Sequence, residues 1–140
     1  MSQTSVKARL AMIQAFANFM DSGSQSATVI FYEGVQPASP EIPVDPNNTL
    51  VTLAFPDPCI KEVTATYVEL HPTDTATVIK TGTATWARIF NGAGEVAADL
   101  TVSTDISLAN TNLVVGGTLF IQSIKPVSYT HLRAHETRHD

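Results

Sequence analysis

Cysteine and clustered positive charge are scarce in this chain of 140 residues. A single cysteine, Cys59, cannot form an internal disulfide and can supply only one ligand to a metal site. Eight Lys and Arg against thirteen Asp and Glu give a net charge of -5, without the basic cluster that binding to nucleic acid or an anionic membrane requires. The composition therefore predicts a protein that binds neither nucleic acid nor membrane and is stabilised by packing.

Long apolar runs are also missing. The run from Leu10 to Met20 is interrupted by Gln14 and Asn18, is too short to cross a bilayer, and has no convincing cleavage site after it. A length of 140 residues suits one domain with a single core. We expect a soluble protein that is made in the cytoplasm.

One amphipathic helix is predicted at the start of the chain, from Ser5 to Asp21, where apolar residues recur at intervals of three and four. Ser5 can cap its first turn. A small fold has more apolar side chains here than one core needs, so the helix covers a sheet face or contacts a partner. We predict an interface formed by Leu10, Ile13, Phe16, Phe19 and Met20.

After the helix, apolar residues alternate with polar ones, which predicts strands over residues 27–33, 49–55, 62–70, 83–90, 95–102 and 118–125. Neither face of the Trp86 strand is wholly polar, so that strand is expected at the centre of a sheet. We expect a hairpin turn from Phe90 to Glu95, with a bulge at Gly94, and a tight turn at residues 116–117. This pattern predicts a mainly β fold, an antiparallel β-sandwich of jelly-roll or Ig-like type with one N-terminal α-helix.

Prolines recur at every third position between the first two strands, at Pro37, Pro40, Pro43 and Pro46. This spacing aligns them along one edge of a polyproline II segment, which suits either a ligand for an aromatic groove or an ordered connection. The acidic residues Glu41 and Asp45 stand where such ligands commonly carry basic ones, so the connection is favoured.

The end of the chain carries the strongest motif for metal chemistry. His135 to His139 matches H-E-x-x-H, in which two histidines hold zinc and the Glu acts as general base. However, Val127 to Thr137 resembles, without interruption, a translated sequencing adapter of the transposase type. We therefore expect three regions: residues 1–24, a helix and linker; 25–126, the β-sandwich domain; and 127–140, a non-native tail whose histidines bind nickel or zinc at most adventitiously.

Without the tail, one histidine remains, His71, next to Pro72 in an expected turn. The carboxylates show no spacing typical of acid–base catalysis, and the glycines at 92 and 94 lack the Gly-Lys-Ser/Thr continuation that binds phosphate. We therefore predict no catalytic, cofactor-binding or metal-binding residues, no cofactor and no enzymatic activity.

A family resemblance adds a functional expectation. Between Thr81 and Val127, the runs GTATWARIF, NGAG, VAADLTVST and DISL resemble small structural proteins of tailed bacteriophages, and the N-terminal helix, VIFYEG and the Pro-rich stretch are also similar. The resemblance implies a noncatalytic virion protein of the capsid (as decoration), neck or tail. Its partners would be copies of itself, forming a homo-oligomer, and phage capsid or tail proteins. A free carbohydrate- or ligand-binding β-sandwich module is the alternative.

Overall fold

A computed structural model describes residues 5–128, which form one α-helix and eleven short strands. The helix is α1 (Val6–Met20), and a single 3-10 turn spans Pro46–Asn48. The strands are β1 (Thr28–Tyr32), β2 (Thr49–Ala54), β3 (Ile60–Val63), β4 (Tyr67–Leu70), β5 (Ala76–Thr77), β6 (Gly82–Thr83), β7 (Trp86–Phe90), β8 (Val96–Thr101), β9 (Asn112–Leu113), β10 (Thr118–Leu119) and β11 (Ile124–Ser128).

The N-terminal helix is confirmed. Ser5 caps it by accepting a hydrogen bond from the Ala8 amide at 3.1 Å, which satisfies one of the amides left free in a first turn. Asp21 ends the helix, and its carboxylate accepts a hydrogen bond of 2.8 Å from the Cys59 amide. The end of α1 is thereby attached to the connection between β2 and β3.

A four-stranded antiparallel sheet in the order β2-β1-β7-β8 forms the centre of the fold. On β1, Val29 and Phe31 point into the core, and their neighbours on β7, Ile89 and Ala87, point the same way. All four are fully buried. The central position expected for the Trp86 strand is confirmed.

The strands β5, β6, β9 and β10 form one interrupted antiparallel ribbon rather than two separate pairs. Thr118 lies opposite Thr77 and Leu113 lies opposite Gly82, and both pairings share the same register. Between them, the Val78 amide donates to the Gly117 carbonyl at 2.8 Å. We call residues 73–84 and 111–121 the edge ribbon, and residues 111–121 its outer strand, which a turn at residues 114–117 divides into β9 and β10.

The edge ribbon continues the four-stranded sheet beyond β2. The Ile79 amide donates to the Leu50 carbonyl at 2.8 Å, and the Asp74 amide donates to the Ala54 carbonyl at 2.9 Å. These bonds place residues 73–84 beside β2 and leave residues 111–121 on the far side.

A second antiparallel sheet has the order β11-β4-β3. The helix packs against β3 and β4, where Ile13 and Ala17 share a buried cluster with Val68. Met20 enters the main core together with side chains from both sheets, such as Phe31 and Leu70. The predicted fold class, mainly β with antiparallel sheets in a sandwich-like arrangement and one N-terminal helix, is confirmed.

The strand predicted over 62–70 is wrong, because the chain reverses within it. The Thr64 hydroxyl accepts hydrogen bonds from the amides of Thr66 and Tyr67 at 3.2 and 3.1 Å, which closes a turn between β3 and β4. Threonine can stabilise such a turn through its side chain even where the polar–apolar alternation continues.

Two further predicted strands, 83–90 and 118–125, are each divided because the chain changes partners midway. Residues 82–83 pair with β9, whereas 86–90 pair with β1 and β8. Similarly, Thr118 and Leu119 pair with β5 in the edge ribbon, and Ile124 begins a strand that pairs with β4 in the other sheet. The alternation of polar and apolar residues indicates which side chains are buried, but it does not show where a strand changes its pairing partner. β11 also includes Val127 and Ser128, the first two residues of the expected tail.

The hairpin between β7 and β8 lies where it was predicted. Its left-handed residue is Gly94, at φ +83°, rather than Asn91 or Gly92. The Asn91 side chain closes the turn by accepting from the amides of Ala93 and Glu95 at 3.0 and 2.9 Å. The tight turn expected at 116–117 is also present, with Gly116 at φ +88° and a bond of 2.9 Å from the Gly117 amide to Val114.

The Pro-rich segment, residues 33–48, lies across the outer face of the four-stranded sheet. The Thr85 hydroxyl donates to the Gly34 carbonyl at 2.6 Å, and the Thr101 hydroxyl donates to the Gln36 side chain at 2.8 Å. A turn closed by the bond from the Ile42 amide to the Ser39 carbonyl, 3.1 Å, interrupts any polyproline II run. The segment is therefore an ordered connection, as the sequence favoured.

Candidate interaction surface

The five residues predicted to form a helix interface do not lie on one exposed surface. Ile13 and Met20 are fully buried within the protein, and Phe16 and Phe19 are half-buried. Leu10 is 38% exposed. Because the β3–β4 sheet and the core already cover the buried members, a partner of this helix would contact Leu10 and its exposed neighbours.

Those neighbours are Val6 and Met12, which are 59% and 56% exposed. Val6 and Leu10, four residues apart, lie on the side of α1 that also carries Ile13 and Ala17, and they are exposed in its first turns, whereas Met12 lies on a different side of the helix. The helix interface stays a prediction.

The outer face of β7 is covered by the Pro-rich segment and not by the helix. Trp86 on this face is 2% exposed and stacks on Tyr32, with ring centres 4.6 Å apart. The indole N–H of Trp86 is buried and has no hydrogen-bond partner in the described region. None of residues 33–48 is itself buried, so the segment shields the aromatic pair while staying at the surface.

A buried ion pair lies next to this aromatic stack. Arg88 on β7 donates from Nε and Nη2 to the two carboxylate oxygens of Asp99 on β8, at 2.7 and 3.0 Å. Its third group, Nη1, donates to the Ile42 carbonyl at 2.8 Å. The bond to Asp99 raises the pKa of Arg88, so the guanidinium stays charged. Every side-chain nitrogen and oxygen of Arg88 and Asp99 is hydrogen-bonded within the chain, which indicates a structural role for this pair.

An open groove of about 660 Å³ runs along the outer strand of the edge ribbon. Its lining comes from residues 107–110, 112–114 and 117–123, with Val78. Leu113 and Ile121 within it are almost fully buried, at 7% and 4% exposure. Phe120 and the amide side chains of Asn110, Asn112 and Gln122 also line it. We call this feature the edge groove.

Large apolar side chains surround the edge groove and point into solvent. Val114 and Phe120 in its lining are 62% and 52% exposed, while Val115 and Ile79 on the adjoining part of the edge ribbon are 57% and 65% exposed. Single exposed apolar residues are ordinary on a protein surface, but a cluster on one element is typical of an interaction surface.

The edge groove also lacks charge. No Asp, Glu, Lys or Arg occurs between Asp105 and Lys125, and Val78 is the one lining residue outside that stretch. The sequence analysis missed this surface because it compared faces of strands rather than the spacing of charges. A charge-free stretch containing Val114, Val115 and Phe120 is the signal that could have found it.

The titratable side chains that could bind a metal or act as nucleophiles are dispersed in the described part of the chain. Residues 5–128 contain no group of three or more His, Cys, Asp or Glu side chains placed to hold a metal ion. Burial raises the pKa of the Cys59 thiol, and its hydrogen bond with Asp21 raises it further, so the thiol stays protonated. His71 lies in the loop after β4 and is half-buried. The H-E-x-x-H motif lies outside the described residues.

The helix α1 has 15 residues, and in the part of the chain that the structure describes no helix is long and apolar enough to span a membrane. No protein-family model, curated protein or solved structure matches this chain.

Proposed function

We propose that this chain is a noncatalytic structural protein of a tailed-phage virion, in the capsid (as decoration), the neck or the tail, and that it contacts other proteins through the edge groove. The phage assignment rests on the sequence resemblance between Thr81 and Val127. The mode of action rests on the structure.

The observation that carries the proposal is the combination of an outer strand, a groove and exposed apolar side chains on one uncharged surface. Burying Val114 and Phe120 against a partner contributes about 25 cal/mol for each Å² of apolar area removed from water. Because no charged side chain lines the groove, a partner can cover it without desolvating an ion. Such a surface suits lasting contact between proteins.

The test is incorporation into particles. Phe120→Lys places a charge on the edge groove at a half-exposed position, so the fold tolerates it, and it should be depleted from purified particles relative to wild type. Val35→Lys is the matched control, because Val35 is 91% exposed on the Pro-rich segment and away from the groove. Equal incorporation of both variants would remove the groove from the proposal.

One observation favours a second candidate, a carbohydrate- or ligand-binding module. The amide groups of Asn110, Asn112 and Gln122 lie in the same groove as Phe120, a combination that suits a neutral hydroxylated ligand lying on an aromatic ring. Binding of a glycan by the monomer on a glycan array, lost in Phe120→Ala, would favour this candidate over a structural role.

A further inference from the structure

We infer that the occupant of the edge groove is a second copy of this chain, whose outer strand pairs antiparallel with its counterpart across a two-fold axis. The inference rests on the proposed function and names the partner at the same surface.

The outer strand has the features of a strand that accepts another strand. Within the described residues β9 pairs only with β6 and β10 pairs only with β5, so the side away from the ribbon has no strand beside it. Proteins usually protect such an edge with charged side chains or proline. Residues 111–121 contain neither, and they expose Val114, Val115 and Phe120 instead.

Charge favours a second copy as the occupant. Each chain carries a net charge of -5, so two copies repel each other wherever their charged surfaces meet. Residues 106–124 carry no charge, which makes this stretch a place where two copies meet without opposing like charges. A partner strand bearing Lys or Glu would have to bury an ion against the same uncharged lining, which is costly.

Symmetry also favours this arrangement. Two copies of one edge strand can pair antiparallel about a two-fold axis, and each then offers the other the same surface. In such a dimer the Val114 and Phe120 side chains of each copy lie beside the edge groove of the other. A single contact would then cover the same apolar surface on both copies.

The experiment measures the mass of the purified full chain by light scattering during size exclusion. We expect twice 15.0 kDa for wild type and a single 15.0 kDa for Val114→Lys and Phe120→Lys. Val35→Lys should remain dimeric. Hydrogen exchange should show slower exchange of amides in residues 111–121 of wild type than in Phe120→Lys, with equal rates in β1 and β7.

Several outcomes would overturn the inference. One is a monomeric wild type at all concentrations; another is a dimer that persists in both groove variants. A dimer lost in Met12→Lys but kept in Phe120→Lys would place the contact on the helix instead. A monomer whose Phe120→Lys variant is still depleted from particles would leave the virion proposal intact while refuting the second copy. A wild type that forms the dimer but is absent from particles would refute the virion proposal and leave the second copy supported.

Discussion

Arg88 on β7 and Asp99 on β8 lie directly opposite each other and share two hydrogen bonds in a pair of side chains that are each only 4% exposed. The same guanidinium donates to the Ile42 carbonyl of the Pro-rich segment. One side chain therefore joins two central strands to the segment that covers them, and removing its partner leaves a buried charge without compensation.

Replacement of Asp99 by Ala should lower the free energy of unfolding by about 3–5 kcal/mol, the usual cost of breaking a buried pair from one side. Urea denaturation measures it. The double variant Arg88→Met with Asp99→Leu should recover much of the loss, because it buries no ion. As a control, Asp74→Ala removes an exposed carboxylate in the edge ribbon and should leave the midpoint unchanged. A double variant no more stable than Asp99→Ala would contradict this account of the pair.

Gly92 should tolerate alanine less well than Gly94 does. A Cβ on Gly92 would overlap the carbonyl oxygens of Ser22 and Gln25, which are backbone atoms in the segment that follows the helix. At Gly94 the surrounding space is open, and only φ of +83° opposes a side chain, at a cost of about 1–2 kcal/mol. Thermal unfolding of the two variants compares them. A larger fall in melting temperature for Gly94→Ala would show that the close approach at Gly92 relaxes easily.

The Cys59 thiol should not react with a thiol reagent while the protein is folded. It is 1% exposed, and burial together with Asp21 raises its pKa, so almost no thiolate is present near neutral pH. Absorbance with Ellman's reagent should stay flat at pH 8 and rise to one equivalent on addition of guanidinium. Rapid reaction of the folded chain would mean that the connection between β2 and β3 opens readily.

Deleting residues 129–140 should leave the melting temperature unchanged, because the deletion keeps all of β11 and removes the adapter-like segment except its first two residues, Val127 and Ser128. Any zinc or nickel binding should disappear with His131, His135 and His139. Metal analysis after dialysis provides the measurement. Stoichiometric zinc in the shortened chain, or a large loss of stability, would contradict the interpretation of the tail as an addition to the fold.

The spacing of apolar residues along the chain predicted those elements whose burial follows a local sequence pattern. The capped helix after Ser5, the central strand at Trp86 and the hairpin at Asn91 all satisfy a local pattern, and the structure confirms each of them. Where a strand changes partners, as at Ala84 and Phe120, the alternation runs on without a break. Local sequence therefore predicted the strands better than it predicted their pairing.

The candidate surface could not be predicted by the same means. The apolar excess on α1 indicated an interface, yet Ile13 and Met20 are used for packing inside the protein. Only the pairing of residues 73–84 with 111–121 places Val114 and Phe120 beside a groove, and that pairing is non-local. The sequence does show that no charged residue occurs between Asp105 and Lys125. The edge of a strand in that stretch therefore has no charged side chain to prevent pairing with another chain.

The proposed virion role can be checked by quantitative mass spectrometry of purified particles from a tailed phage found to carry this gene, with peptides from residues 1–126 counted against those of the capsid protein. We expect these peptides at a fixed stoichiometry that survives density-gradient purification. Their consistent absence from particles, in a lysate where the protein is abundant, would contradict the proposed role.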